Sequence, residues 1–242
     1  LSLLQLRANP DVAVMELGMN HAGEISRLVE IAEPDTRVWT NVGDAHLGFF
    51  ASPDAIADAK AEILEKAGPD ARLVCNADDA RVMARAARFT GRIVTFGLSP
   101  EASVRAARVE DRGVDGFTAH VVTPAGAVDL QSGLIGRGNL LNVLAAVATA
   151  LEFGVPLADV PAAVAALQPA DRRGVVHRLP GGVTVIDDSY NSSPSALRVA
   201  LDTLAREPRA RRRIAVLGEM LELGAEAVAM HEACGRAAAQ AG

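Results

Sequence analysis

The sequence predicts an α/β protein: a mostly parallel central sheet with flanking helices, followed by a second, incomplete α/β domain. Short Val- and Ile-rich runs alternate with segments of helical periodicity, the pattern of right-handed crossovers onto a parallel sheet. Half of the 242 residues are apolar but only 3% are aromatic, so the core must be built from Ala, Val and Leu, which suits α/β layers. A polar Pro/Gly link, "QPADRRG" at 168–174, separates two such series and divides the chain into 1–173 and 174–242.

The elements follow in order. "DVAVMEL" (11–17) predicts a buried parallel strand. "GEISRLVEIAEP" places Ile25, Leu28, Val29 and Ala32 on one helical face and stops at Pro34. "RVWTNV" (37–42) is the next strand, and "SPDAIADAKAEIL" (52–64) opens a helix with Ser52 as N-cap before Pro53. "RLVCN" (72–76), "DARVMARAARF" and "RIVTFG" (92–97) continue the alternation. From 103 to 131 short alternating stretches between Gly and Asp turns predict antiparallel strands that extend the sheet edge. Helices over about 139–153 and 157–167, broken by "FGVP", come next. Beyond the link, "GVTVIDDSYN", "SPSALRVALDTLA", "RIAVLGEM" and a last helix restart the series.

Composition excludes several classes. A net charge of −6 offers no surplus of basic charge for a general nucleic-acid binder. The arginines of "REPRARRRIAV" (206–216) read as a solvated turn before a buried strand. No run of about 18 uncharged apolar residues exists to span a membrane, and no signal peptide is read. Cys75 and Cys234 fit no metal-ligand spacing and read as reduced thiols of a cytoplasmic protein. The chain opens at Leu1 without Met and stops in or just after a helix, so an interior piece of a longer protein is expected.

Strand ends are where open parallel sheets place ligands. Glu16 ends the first expected strand and His46 follows the second; a carboxylate and an imidazole there can converge on a divalent cation. Taken alone, such a pair reads more readily as solvated strand-end side chains. Lys60 is one of only two lysines in an arginine-rich chain, the other being Lys66. An ammonium repels a metal, so Lys60 belongs beside Glu16 and His46 only if its charge is removed. Carbamylation by carbon dioxide would do that, and arginine cannot undergo it under ordinary conditions.

Other stretches are suggestive. "LIGRGNLLNVLAAVA" (134–148) has a Gly-rich approach to a helix bearing Asn139 and Asn142, which suits a phosphate or a base edge, or a plain helix start. "VIDDSYNSSPSAL" (185–197) delivers Asp187 and Asp188 from a strand into a helix cap, and "VLGEML" ends a neighbouring run with Glu219. Paired acids at a strand exit need a cation, a donor or solvent. A Walker A loop needs Gly-Lys-Ser/Thr, but Lys60 follows Ala59 and Lys66 follows Glu65, so this chain contains none.

"ELGMNHAGEI", "TNVGDAHLGFF", "IADAKAEIL", "GRGNLLNVLAA", "VVHRL", "VIDDSYNSSPSAL" and "VLGEMLELG" occur in the order found in the Mur ligase family, which the sequence resembles over nearly its whole length. The resemblance implies a central ATP-binding domain over 1–173, N-terminally truncated, and an incomplete Rossmann-like domain over 174–242. It implies an ATP-dependent ligase of peptidoglycan precursor synthesis that joins D-alanyl-D-alanine to UDP-N-acetylmuramoyl-tripeptide through an acyl phosphate, acting in the cytoplasm as a monomer. ATP and magnesium are the implied cofactors. Glu16, His46 and a carbamylated Lys60 would hold metal, His46 and Lys60 serving catalysis. Asn139, Asn142, Arg178 and Asp188 would contact the nucleotide, and Asn191 would lie towards the incoming dipeptide. Gly138 stands where the family usually has His. Without a phosphate cradle the segment alone is expected to be inactive. The alternatives are a folylpolyglutamate or cyanophycin synthetase-like ligase, or a non-catalytic remnant that only binds.

Overall fold

The computed structural model describes residues 10–44 and 47–241. The chain first builds α1 (Glu24–Ala32), β1 (Thr36–Trp39), α2 (Pro53–Ala61), β2 (Arg72–Asn76), α3 (Ala80–Ala86) and β3 (Arg92–Gly97). β1–β2 and β2–β3 are parallel, each pair joined through a helix as the alternation predicts. The local causes are those in the sequence. Ser52 Oγ accepts the Ala55 N–H at 3.1 Å with Pro53 in the first turn of α2. α1 buries Ile25 and Val29, one turn apart.

β4 (Val104–Asp111) joins β3 in parallel through only the Phe96–Val104 and Gly97–Arg105 pairs. Because β4 runs on past the end of β3, a short connection replaces a crossover helix. Asp78 fixes it by accepting the N–H groups of Leu98 and Ser99 at 2.7 and 2.8 Å. β5 (Phe117–Thr123) and β6 (Gly126–Ser132) complete the expected antiparallel extension, giving a six-stranded sheet in the order β1 to β6.

At β2 both faces of the sheet are covered. Leu73 and Cys75 pack with Val82 and Ala86 of α3, while Val74 packs in a cluster with Leu140, Val143, Leu144 and Val147 of α4 (Gly136–Glu152) and Val160 and Val164 of α5 (Val160–Ala165). A strand buried on both sides reads as a continuous apolar run, as "RLVCN" does. Fully burying each such Leu or Val stabilises by about 1.5–3 kcal/mol.

After the link, β7 (Val175–Leu179) and β8 (Val183–Asp187) form an antiparallel hairpin, followed by α6 (Pro194–Ala205) and α7 (Ala227–Gln240). Met220, Leu223 and Cys234 form a small core there with Leu197 and Met230. Cys75 and Cys234 are both buried free thiols. Burial pushes the Cys75 thiol up to about 11.

Two expected strands are absent among the described residues. Residues 11–17 and 213–220 ("RIAVLGEM") form no strand and pair with no described strand. Val14 is 93% exposed and Val216 92% exposed. An apolar run becomes a strand only when a neighbouring backbone takes up its N–H and C=O groups, and none of the described residues does so for either run.

Candidate functional site

The segment after β1 is held from three directions. Asn76, at the end of β2, donates its side-chain amide to the Thr40 carbonyl at 2.9 Å. Asp79 caps α3 through the N–H groups of Arg81 and Val82, and its other oxygen accepts the Val42 N–H at 2.7 Å. Asp44 reaches across to the C-terminal residues, accepting the Ser195 N–H at 3.2 Å and its hydroxyl at 2.6 Å. A carboxylate there is favoured by the N-terminal end of the α6 dipole. The Gly48 N–H donates to the Glu222 carbonyl at 2.6 Å, so the segment is docked at two points. His46 falls between Asp44 and Gly48 in the sequence and lies outside the described residues.

Lys60 sits in the last turn of α2, half-buried. Burial disfavours its charged form and lowers its pKa, while the charge of the Glu16 carboxylate partly offsets that. Acids that local sequence does not single out fix the segment that follows Glu16. Glu62, just beyond α2, accepts the N–H groups of Gly23 and Ser26 at 2.6 and 3.0 Å and so ties the start of α1 to the Lys60 helix. Glu24 folds back onto the N–H groups of Asn20 and His21 at 2.7 and 3.1 Å. Among the described residues no group of three or more His, Cys, Asp or Glu side chains converges. Lys66 pairs with Glu30 and takes no part in this cluster.

Asn139 lies half-buried near the start of α4, where its amide donates to the Ile135 carbonyl at 2.9 Å. The link passes over it: a Cβ on Gly174 would stand 3.4 Å from the Ile135 side chain and 4.0 Å from the Asn139 amide nitrogen. Asn142 and Gly138 are exposed, and a Cβ added at Gly138 meets nothing within 4 Å. The His expected at that position is therefore not excluded by packing.

The "DDSYN" stretch is bound to the link. The Tyr190 N–H donates to the Arg172 carbonyl at 3.1 Å, and the Arg173 guanidinium lies 4.1 Å above the Tyr190 ring. Asp187 is closed into a turn, accepting the N–H and hydroxyl of Ser189, which hold it below the usual carboxylate range. Asp188 and Asn191 are exposed, and Asn191 accepts the Ser192 N–H at 2.9 Å. Arg178, on β7, is ion-paired with Asp115. Among the described residues no hydrogen bond or ion pair joins Glu16 or Lys60 to Asn139, Arg178, Asp188 or Asn191. The arrangement is thus two groups: the half-buried Lys60 amine of α2 with the Glu16 charge acting on it, and a polar group around the link.

Residues 1–150 match the Mur ligase middle domain, and residues 171–242 match the Mur ligase, glutamate ligase domain. The chain is 38% identical to the UDP-N-acetylmuramoyl-tripeptide–D-alanyl-D-alanine ligase of Mycobacterium bovis, covering 98% of this chain and 48% of that protein. It superposes on a crystal structure of MurF from Acinetobacter baumannii with a TM-score of 0.91 and 31% identity, over 98% of this chain and 51% of the other. MurF ligase from Thermotoga maritima, in complex with ADP, gives a TM-score of 0.79 and 27% identity over 97% of this chain and 54% of the other. The chain spans about half the length of the curated relatives it matches, 48% in the mycobacterial case. With two domain matches in the order of its two structural parts, and that identity along nearly all its residues, the chain belongs to the Mur ligase family.

Proposed function

We propose that this chain is the nucleotide- and metal-handling part of an ATP-dependent ligase that joins D-alanyl-D-alanine to UDP-N-acetylmuramoyl-tripeptide in peptidoglycan precursor synthesis. The observation that carries the reading is the half-buried Lys60 amine, whose charged form the Glu16 carboxylate favours, in a chain 38% identical to a ligase of that name. Residues 1–173 then form the central ATP-binding domain and 174–242 the C-terminal domain. The cytoplasm is the proposed setting, which suits two free buried thiols, and no helix of the described residues is long and apolar enough to cross a membrane. The working unit is proposed to be a monomer that binds no nucleic acid.

In the proposed reaction the tripeptide carboxylate takes the terminal phosphoryl group of ATP and releases ADP. The dipeptide amine then attacks the acyl carbon, a C–N bond forms, phosphate leaves and the amine loses a proton. Little of this is covalent work for the protein, so its task is to position and to balance charge. Asn139, Asn142, Arg178 and Asp188 are assigned to the nucleotide and Asn191 to the dipeptide. An ADP complex of the Thermotoga maritima relative supports a nucleotide site.

Glu16, His46 and Lys60 would hold magnesium, which when bound screens the phosphate oxygens. The described residues fit that role in one respect. An amine must be neutral to attack carbon dioxide, and burial of Lys60 favours the neutral form. The Lys60 nitrogen then gains a bond to carbon and loses a proton, leaving a carbamate whose oxygens suit a hard cation.

In the complete ligase, Lys60→Arg is expected to lower D-alanyl-D-alanine-dependent phosphate release by about 100-fold or more, uncorrected by bicarbonate. Retained activity removes Lys60 from the site, and turnover with another acceptor instead of D-alanyl-D-alanine overturns the substrate assignment. The 242-residue chain, with no Gly-Lys-Ser/Thr, should release no phosphate by itself.

A further inference from the structure

Four charged side chains link the turn between β4 and β5 to the C-terminal residues. Glu207, only 7% exposed, accepts the Val114 N–H at 3.1 Å and the Arg209 Nε at 2.7 Å. Arg209 Nη1 donates to one oxygen of Asp115 at 2.7 Å, and Arg178 donates to the other. The two ends of this chain differ. Glu207 is committed: Gly113 comes so close that a Cβ there would overlap its carboxylate. The Asp115–Arg178 end is open, the two side chains being 35% and 57% exposed.

We infer that Asp115 is a positioning residue that stands in for a nucleotide phosphate, holding the Arg178 guanidinium ready and exchanging it for the phosphate when nucleotide binds. The inference rests on the assignment of Arg178 to the nucleotide. Carboxylate and phosphate present oxygens to the planar guanidinium fork in the same way, so one anion replaces the other without a change of geometry at Arg178. An exposed pair is weakly held, so the exchange meets little resistance. Asp115 is also not stranded when Arg178 leaves, because Arg209 still occupies its other oxygen. With two arginines against Asp115 and Glu207 the cluster has no net charge, so it is no anion site until Asp115 yields.

The test is equilibrium binding of ADP with magnesium to the complete ligase, by calorimetry, for the parent, Asp115→Asn, Arg178→Ala and the double variant. Asp115→Asn should bind ADP about two- to five-fold more tightly, the range an exposed ion pair commands. Arg178→Ala should bind more weakly, and the double variant no better than Arg178→Ala alone. A damaged fold cannot yield that gain in affinity. Unchanged or weaker binding by Asp115→Asn overturns the inference, as does a double variant that binds more tightly than Arg178→Ala. Should Arg178→Ala bind as the parent does, the nucleotide assignment of Arg178 fails instead, and this inference with it. Asp115→Ser, which also removes the charge, repeats the test if Asp115→Asn does not fold.

Discussion

Replacing Glu207 by Gln should destabilise the protein near neutral pH by about 1–3 kcal/mol, and the loss should shrink as the solution is acidified. The Arg209 hydrogen bond, opposed by burial and aided by the Val114 N–H, lowers the Glu207 pKa from 4.5 to about 2. The folded value lies below the unfolded one. The stabilisation is therefore full above about pH 4.5 and is lost as pH falls through about 2. A depression of that size corresponds to about 3 kcal/mol. Arg209 is 56% exposed, and solvent screening of its charge makes that an upper bound. Urea denaturation of the parent and Glu207→Gln, from about pH 7 down to about pH 3, reads the difference directly. A gap that stays constant across that range, or no gap at neutral pH, would refute the assignment of this stability to the ionised carboxylate.

Gly48→Ala should cost about 1–3 kcal/mol, read as a lower urea midpoint, because overpacking against backbone cannot relax by rotamer change. Its Cβ would meet the Glu222 carbonyl oxygen at 2.9 Å and the Gly224 nitrogen at 3.1 Å, whereas at Gly18 a Cβ meets nothing within 4 Å and Gly18→Ala serves as the control. Gly138→Ala, within α4 and facing open space, should raise stability by about 0.5–1 kcal/mol, and a lower melting temperature would show that the position is not helical in solution.

Much of the fold was legible because its causes are local. The Ser52-Pro53 start of α2, the period-two stretches of β4 to β6 and the apolar run of β2 each declare their element within a few residues. Residues 11–17 and 213–220 carry the same strand signal and form none among the described residues, because strand formation depends on what lies alongside. Lys60 was legible as an odd lysine, but its half-burial and the influence of the Glu16 charge on it are tertiary facts. Asp79 could have been found, since an Asp before "ARVM" is an N-cap signal. Asp44, Glu62 and Asp115 could not, because the groups they hold lie 151, 36–39 and 63–94 residues away.

Those acids explain how irregular segments around the site acquire fixed positions. The segment 40–44 and residues 17–23 lack the repeating partners that helices and sheets supply, and residues 113–115 make only a single 3-10 turn. Each is held by a carboxylate accepting backbone N–H groups: Asp79 for Val42, Glu62 for Gly23 and Ser26, Glu207 for Val114. A carboxylate suits the task because it accepts several bonds at once and its charge strengthens each of them. Gln in the same place keeps one acceptor oxygen and introduces donors that face other donors. Acid-to-amide changes at these positions should therefore loosen the segments that carry the candidate site residues while leaving the helices and the sheet intact. Hydrogen exchange at the Gly23 and Ser26 amides in Glu62→Gln reads this. Faster exchange there, with β2 still protected, is expected; protection unchanged at both amides would mean that Glu62 does not hold the segment that follows Glu16.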